Sequence, residues 1–182
     1  MVDQFIPTNP GNEMVGRAGH NITIGVFHRT GNAGNDTALG EANYSHNHLI
    51  VASFYKVFDM QGKVVQVTLS KDTEYAVADP IINEESVNYE IAGVNGTPLS
   101  VVCIKAIIAD VKADPATKHI PHHRLTGPEI LAIHNGHPIN GVIGGWCTHL
   151  DVTKAIQGPG MTHVDYISEA EIAEILKGVY NG

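Results

Sequence analysis

Cysteine is scarce in this chain, with only Cys103 and Cys147 among 182 residues. Two thiols cannot make the disulfide framework that staples small secreted folds, and nothing in their spacing pairs them. Their simplest reading is two small buried side chains. Positive charge is scarce as well: 11 Lys and Arg stand against 19 Asp and Glu, for a net charge of −8. No basic stripe forms, which excludes nucleic acid as a partner. The same acidity argues against electrostatic capture by an anionic membrane or wall, so such a target has to be held by a groove or by another module. Long apolar runs are missing too. The longest, Leu99 to Ala109, is broken by Lys105 and falls short of the roughly 20 residues of a membrane span. The opening Met1-Val2-Asp3-Gln4-Phe5 has neither the basic nor the apolar region of a secretory signal. A monomer with no membrane insertion is expected.

What is present is an ordinary globular composition, 43% hydrophobic and 16% charged, of a length that fits one domain with a sizeable core. Residues 1–20 are rich in Pro, Gly and Asn and read as an irregular lead-in to a single domain over 21–182. Ile22 to Phe27 reads as a strand delivering His28 at its end. Residues 29–36 read as a Gly/Asn-rich loop, and Thr37 to Asn47 as a helix. Ile50 to Phe58 and Lys63 to Leu69 read as two strands around the turn Asp59-Met60-Gln61-Gly62. Ser86 to Ala92 is a further strand ending at Gly93. Apolar residues at 101, 104, 108 and 111 predict a helix over 98–113. Thr126-Gly127-Pro128-Glu129 and Ser168-Glu169-Ala170-Glu171 are capping-box patterns, predicting helices to about Asn135 and about Lys177. The fold class is therefore α/β (α+β), a central mixed sheet of about five strands flanked by about three helices.

Histidine is abundant, with eleven residues. Most have ordinary roles. His119, His122 and His123 fall in a loop between two helices, and His134 and His137 flank a helix end, where an imidazolium is favourable. His46 and His48 follow a helix-like stretch and are weaker candidates for a groove. The informative segments are Thr148-His149-Leu150-Asp151-Val152 and Thr162-His163-Val164-Asp165, with His28 far upstream. Catalytic zinc takes three protein ligands and keeps one position open for water. Two clustered ligands and a remote one are a common way to build that site. Cys147 is a minor further option as a thiolate, and Asp151 a group that orients the His149 loop. Glu90 lies among Val87, Ile91 and Ala92, where a buried carboxylate needs a partner or a task. Trp146, the single tryptophan, serves either the core or a sugar-binding wall.

Four stretches in order carry a resemblance. They are Val26-Phe27-His28-Arg29-Thr30; the hairpin Ala52 to Val57 and Gly62 to Gln66 followed by Asp72-Thr73; Ser86-Val87-Asn88-Tyr89-Glu90-Ile91-Ala92-Gly93; and Thr148 to Val152 with His163-Val164-Asp165. Together they resemble the type 2 N-acetylmuramoyl-L-alanine amidases, the zinc fold shared with peptidoglycan recognition proteins and many phage endolysins, over about residues 20–166. The resemblance implies His28, His149 and Asp165 as zinc ligands, with His163 the alternative third ligand. It implies Glu90 beside the metal-bound water, and it sets His163 where many members carry a lysine that polarises the scissile carbonyl. Tyr55, Asn88 and Trp146 are then the candidate substrate contacts. The chain departs from the family at Phe54-Tyr55, where Tyr-His is usual, at Glu74-Tyr75-Ala76, where Trp-His-Ala is usual, and at Tyr166-Ile167, where Pro-Gly is usual.

The implied activity is hydrolysis of the amide between N-acetylmuramic acid and L-alanine of the stem peptide, as in a bacteriophage endolysin. Such an enzyme collects in the host cytoplasm and reaches peptidoglycan after holin-mediated release or lysis. The alternatives are a non-catalytic muropeptide-binding module of the same fold and an unrelated zinc hydrolase acting on a small amide.

Overall fold

The computed structural model describes residues 2–31, 36–50, 52–94, 96–161 and 166–181. Its strands are β1 (Gln4–Phe5), β2 (Glu13–Met14), β3 (Ile24–Arg29), β4 (Lys56–Phe58), β5 (Val64–Gln66), β6 (Thr73–Glu74), β7 (Ser86–Ile91) and β8 (Gly145–Thr148). Its α-helices are α1 (Ala38–Asn47), α2 (Pro80–Glu85), α3 (Val101–Ala113), α4 (Gly127–His134), α5 (His149–Gln157) and α6 (Glu169–Asn181). Six strands form a mixed sheet in the order β1-β5-β4-β7-β3-β8, and β2 pairs with β6 in a small antiparallel sheet. β4, β7, β3 and β8 run parallel to one another. Every residue of β3, β7 and β8 is buried, as expected of parallel strands covered on both faces.

The period-two alternation of the strands sorts their side chains into two cores. Phe27, Tyr89 and Trp146 pack with Cys103, Ile107 and Val111 of α3 and Ile172 and Ile175 of α6. On the opposite face, Ile24, Val26 and Cys147 pack with Ile82 of α2, Ile130 and Ile133 of α4, and Val152 of α5. Helix α1 covers the same face further along, with Ala38 and Ala42 against Val57 and Val65. Gly25 is a steric necessity here. A Cβ on it would lie 2.3 Å from the Trp146 ring.

The two predicted capping boxes form. Glu129 Oε2 accepts from Thr126 N at 2.7 Å, and Glu171 Oε2 from Ser168 N at 2.8 Å. The structure adds two helices that the apolar pattern does not announce. Asp79 caps α2, its Oδ1 accepting from Ile82 N at 2.9 Å ahead of Pro80. Thr148 and Asp151 form a third capping box that opens α5.

Two expectations are corrected. The lead-in is not irregular throughout: β1 runs parallel to β5, and β2 pairs with β6. The hairpin strands are also shorter than predicted. The amides of Val67 and Thr68 both converge on the Tyr55 carbonyl, at 3.0 and 3.4 Å. Two residues facing one is a bulge, and it ends the regular ladder.

Candidate active site

The site is built where parallel strands end. His28 lies opposite Glu90, and Val26 opposite Asn88, in the β3–β7 register. Facing residues of neighbouring strands share a face, so His28, Asn88 and Glu90 stand on the side covered by α2, α4 and α5. On the other flank of β3, the chain leaves β8 at Thr148 and enters α5 at His149. The His28 and His149 rings come together, centroids 4.8 Å apart at 52°. Ligands for open α/β sheets bind at such carboxyl ends.

Both imidazoles and Glu90 are buried, at 1%, 9% and 2% exposure. Phe54 closes one side with its ring edge-on to His28, centroids 5.5 Å apart. Behind His28 runs a chain of polar groups. His28 Nε2 lies 3.0 Å from Asn88 Oδ1. Asn88 Nδ2 donates to Ser86 Oγ at 2.9 Å and to Glu74 Oε2 at 3.3 Å. The Glu74 carboxylate also accepts from Thr68 Oγ1 at 3.2 Å and pairs with Arg17 Nη2 at 3.3 Å. Burial pushes the Glu74 carboxyl up to about 7, against the pull of Arg17 and the bonds from Asn88 and Thr68. Beside His149 opens a groove of about 670 Å³, whose lining includes Tyr75, Val77, Asp79, Glu84, Thr153 and Met161.

The structure thus brings His28, His149 and Glu90 together and sets Asn88 directly behind His28. His163 and Asp165 lie outside the described residues. Among the described residues no group of three or more His, Cys, Asp or Glu side chains is arranged to hold a metal. His28 and His149 could supply two of the three donors that a zinc site needs, so among the described residues the fit to zinc is partial.

Two candidate substrate contacts are corrected. Tyr55 sits on the α3 side, 4% exposed, edge-on to Tyr89 at 5.9 Å. Burial and the neighbouring Asp114 hold its phenol well above the usual value. Tyr55 and Lys56 both face α3 while Phe54 faces His28, so the period-two alternation is broken at Tyr55, just ahead of β4. Trp146 is fully buried on that same far side, stacked on Phe27 at 5.2 Å, its Nε1 donating to Tyr180 Oη at 2.8 Å. It belongs to the core.

Cys147 is buried in the apolar cluster of α4 and α5, where burial pushes its thiol far above the usual value. Asp151 completes the capping box that Thr148 opens and pairs with Arg124 at 2.8 Å, which fixes the helix that begins with His149. His46 and His48 bond the Pro7 and Tyr44 carbonyls at 2.7 and 2.9 Å and do not line the groove. His122 stacks on Tyr180, and His123 and His134 face Glu129 and Asp79. The residues that pattern reading missed are Arg17, Glu74 and Phe54. Glu74 and Phe54 carry a signal, since both fall where the chain departs from the resembled family, and Arg17 carries none.

No protein-family model matches this chain, and no curated protein matches it. Solved structures do. The Staphylococcus aureus hydrolase AmiA, in complex with its ligand, is 16% identical over 99% of this chain and 83% of its own, with a TM-score of 0.67. A mutant of PlyL is 17% identical over all of both chains, at 0.64. The endolysin N-acetylmuramoyl-L-alanine amidase LysCS from Clostridium intestinale URNW is 12% identical over 100% of this chain and 97% of its own, at 0.53. These likenesses establish the fold: the chain has the α/β architecture found in N-acetylmuramoyl-L-alanine amidases.

Proposed function

We propose that this protein is a zinc-dependent peptidoglycan amidase of the endolysin kind, cleaving the amide between N-acetylmuramic acid and L-alanine of the stem peptide. The observation that carries the reading is the pairing of the His28 and His149 rings beside Glu90, at the strand ends of an amidase fold and against an open groove. His28, His149 and a third donor from Asp165 or His163 would hold the zinc. Zinc supplies Lewis acidity, which makes water nucleophilic at neutral pH. Glu90 takes a proton from the attacking water and returns it to the leaving amine. With Asp165 as the third donor, His163 is left to stabilise the oxyanion that develops on the scissile carbonyl. The groove along Tyr75, Val77 and Thr153 takes the substrate in place of Tyr55 and Trp146. The protein acts as a monomer, reaching the wall from the cytoplasm of a phage-infected host after holin-mediated release or lysis.

The test is digestion of purified peptidoglycan by zinc-loaded protein, with products read by mass spectrometry. Stem peptides beginning with L-alanine are expected from the wild type, with release strongly reduced in Glu90→Ala and absent after chelation. Zinc bound without any release would overturn the enzyme and favour a muropeptide-binding module. No release from intact wall together with hydrolysis of a simple amide would favour a different zinc hydrolase.

A further inference from the structure

The polar chain behind His28 does more than fill space. An asparagine amide has an acceptor end and a donor end, and an ionised carboxylate only accepts. Asn88 has its donor end committed to Glu74 Oε2 and Ser86 Oγ. Turning the amide over would set Asn88 Oδ1 against the Glu74 carboxylate and would forfeit the Glu74 bond. Glu74 is itself held by Arg17, whose guanidinium is anchored on the carbonyls of Ser70, Glu84 and Ser86 at 2.6, 3.1 and 2.6 Å. Asn88 Oδ1 therefore faces His28 as an acceptor, and the ring nitrogen opposite it, Nε2, has to be the donor.

We infer that Glu74 and Asn88 are positioning residues that hold His28 in the tautomer protonated at Nε2, leaving Nδ1 as the nitrogen whose lone pair can bind a metal. A neutral imidazole carries one N–H, so fixing it on Nε2 decides what Nδ1 is. A partner of this kind behind a ligating histidine sets its tautomer and ring orientation. The relay belongs to this chain in particular, because Glu74 stands where the resembled family has tryptophan. The consequence for metal binding rests on the zinc reading given above. The tautomer does not.

The experiment uses full-length protein labelled with 15N-histidine, read at pH 8 by long-range 15N–1H correlation. The His28 signals are assigned by their loss in His28→Ala. Zinc affinity is measured in parallel by competition with a chelator. Expected in the wild type are a protonated Nε2 and an unprotonated Nδ1. Asn88→Ala should give a mixed or reversed tautomer and a zinc affinity weaker by about 10- to 100-fold. Glu74→Gln, which frees the Asn88 amide to turn, should raise the fraction protonated at Nδ1. A wild type protonated at Nδ1 overturns the inference without recourse to any variant. So does an Asn88→Ala protein with unchanged tautomer and unchanged zinc affinity. Failure of the wild type to hydrolyse peptidoglycan would overturn the functional reading and leave the ring-nitrogen signals as they are.

Discussion

Two buried ionic clusters occupy opposite faces of one sheet, and they differ in where they end. On the α3 face, Lys56 Nζ bonds Asp110 Oδ2 at 2.7 Å and Asp114 Oδ2 at 2.5 Å, with all three side chains buried. Burial raises the Asp110 carboxyl and Lys56 opposes the rise. This cluster is closed, because Lys56 bonds both carboxylates and none of the three lines the groove beside His149. On the other face, Arg17 and Glu74 continue through Asn88 to His28. That cluster is open, and its last member is a ring nitrogen beside a second imidazole. Both incur the desolvation cost of buried charge. The comparison teaches that burial alone does not mark a functional charge. What sets the second cluster apart is that it ends on His28, beside the His149 ring at the edge of a groove.

The comparison predicts that damage on the two faces reads out differently. The largest effect on chemistry is expected from Glu90→Ala, which should slow stem-peptide release by about 10²- to 10⁴-fold without altering the circular dichroism. The largest effect on stability belongs to the closed cluster. Lys56→Met leaves two buried carboxylates without their cation and should cost about 3–5 kcal/mol in urea unfolding. The rate at a temperature where the variant stays folded should not change. Replacing Lys56, Asp110 and Asp114 together by apolar residues should recover most of that loss. If it does not, the closed cluster is more than structural.

Gly25→Ala drives a methyl into the Trp146 ring and should cost about 1–3 kcal/mol, again with the rate preserved. Asp151→Ala removes the N3 half of the capping box that opens α5, together with the Arg124 pair, for about 1 kcal/mol. Because His149 is the first residue of that helix, zinc affinity should fall with it, unlike for Gly25→Ala. The smallest effect is a slope with pH. Glu74 is raised from 4.5 to about 7 in the folded state. Its contribution is fully present below pH 4.5 and is lost as pH rises through 7. Wild type should therefore lose stability relative to Glu74→Gln between pH 5 and 8, checked by urea midpoints across that range. A flat difference would mean that Arg17 compensates the buried charge fully.

Much of the frame was legible along the chain. The strand that ends at His28, the strand that carries Glu90, and the capping boxes at Thr126 and Ser168 depend on neighbours within a few residues, so local pattern is enough to find them. The Thr148–Asp151 box was equally local, yet its residues read first as a ligand segment, and α5 went unrecognised. Tyr55 and Phe54 were exchanged for a different reason. A period-two element reverses its faces with a slip of one residue, and nothing in the local pattern marks the break of alternation at Tyr55. Trp146 had no local sign of which face it would take. The approach of β8 to Gly25 decided that.

By itself, then, the sequence determined an acidic α/β domain and most of its helices. Those properties follow from composition, short-range periodicity and order along the chain. Only the tertiary structure decided which side chains share a face, that Arg17 and Glu74 stand behind Asn88, and that His28 meets a histidine more than a hundred residues away. These are matters of register between distant strands, where hydrogen-bond pairing and close packing across the sheet choose among arrangements that local sequence leaves equal.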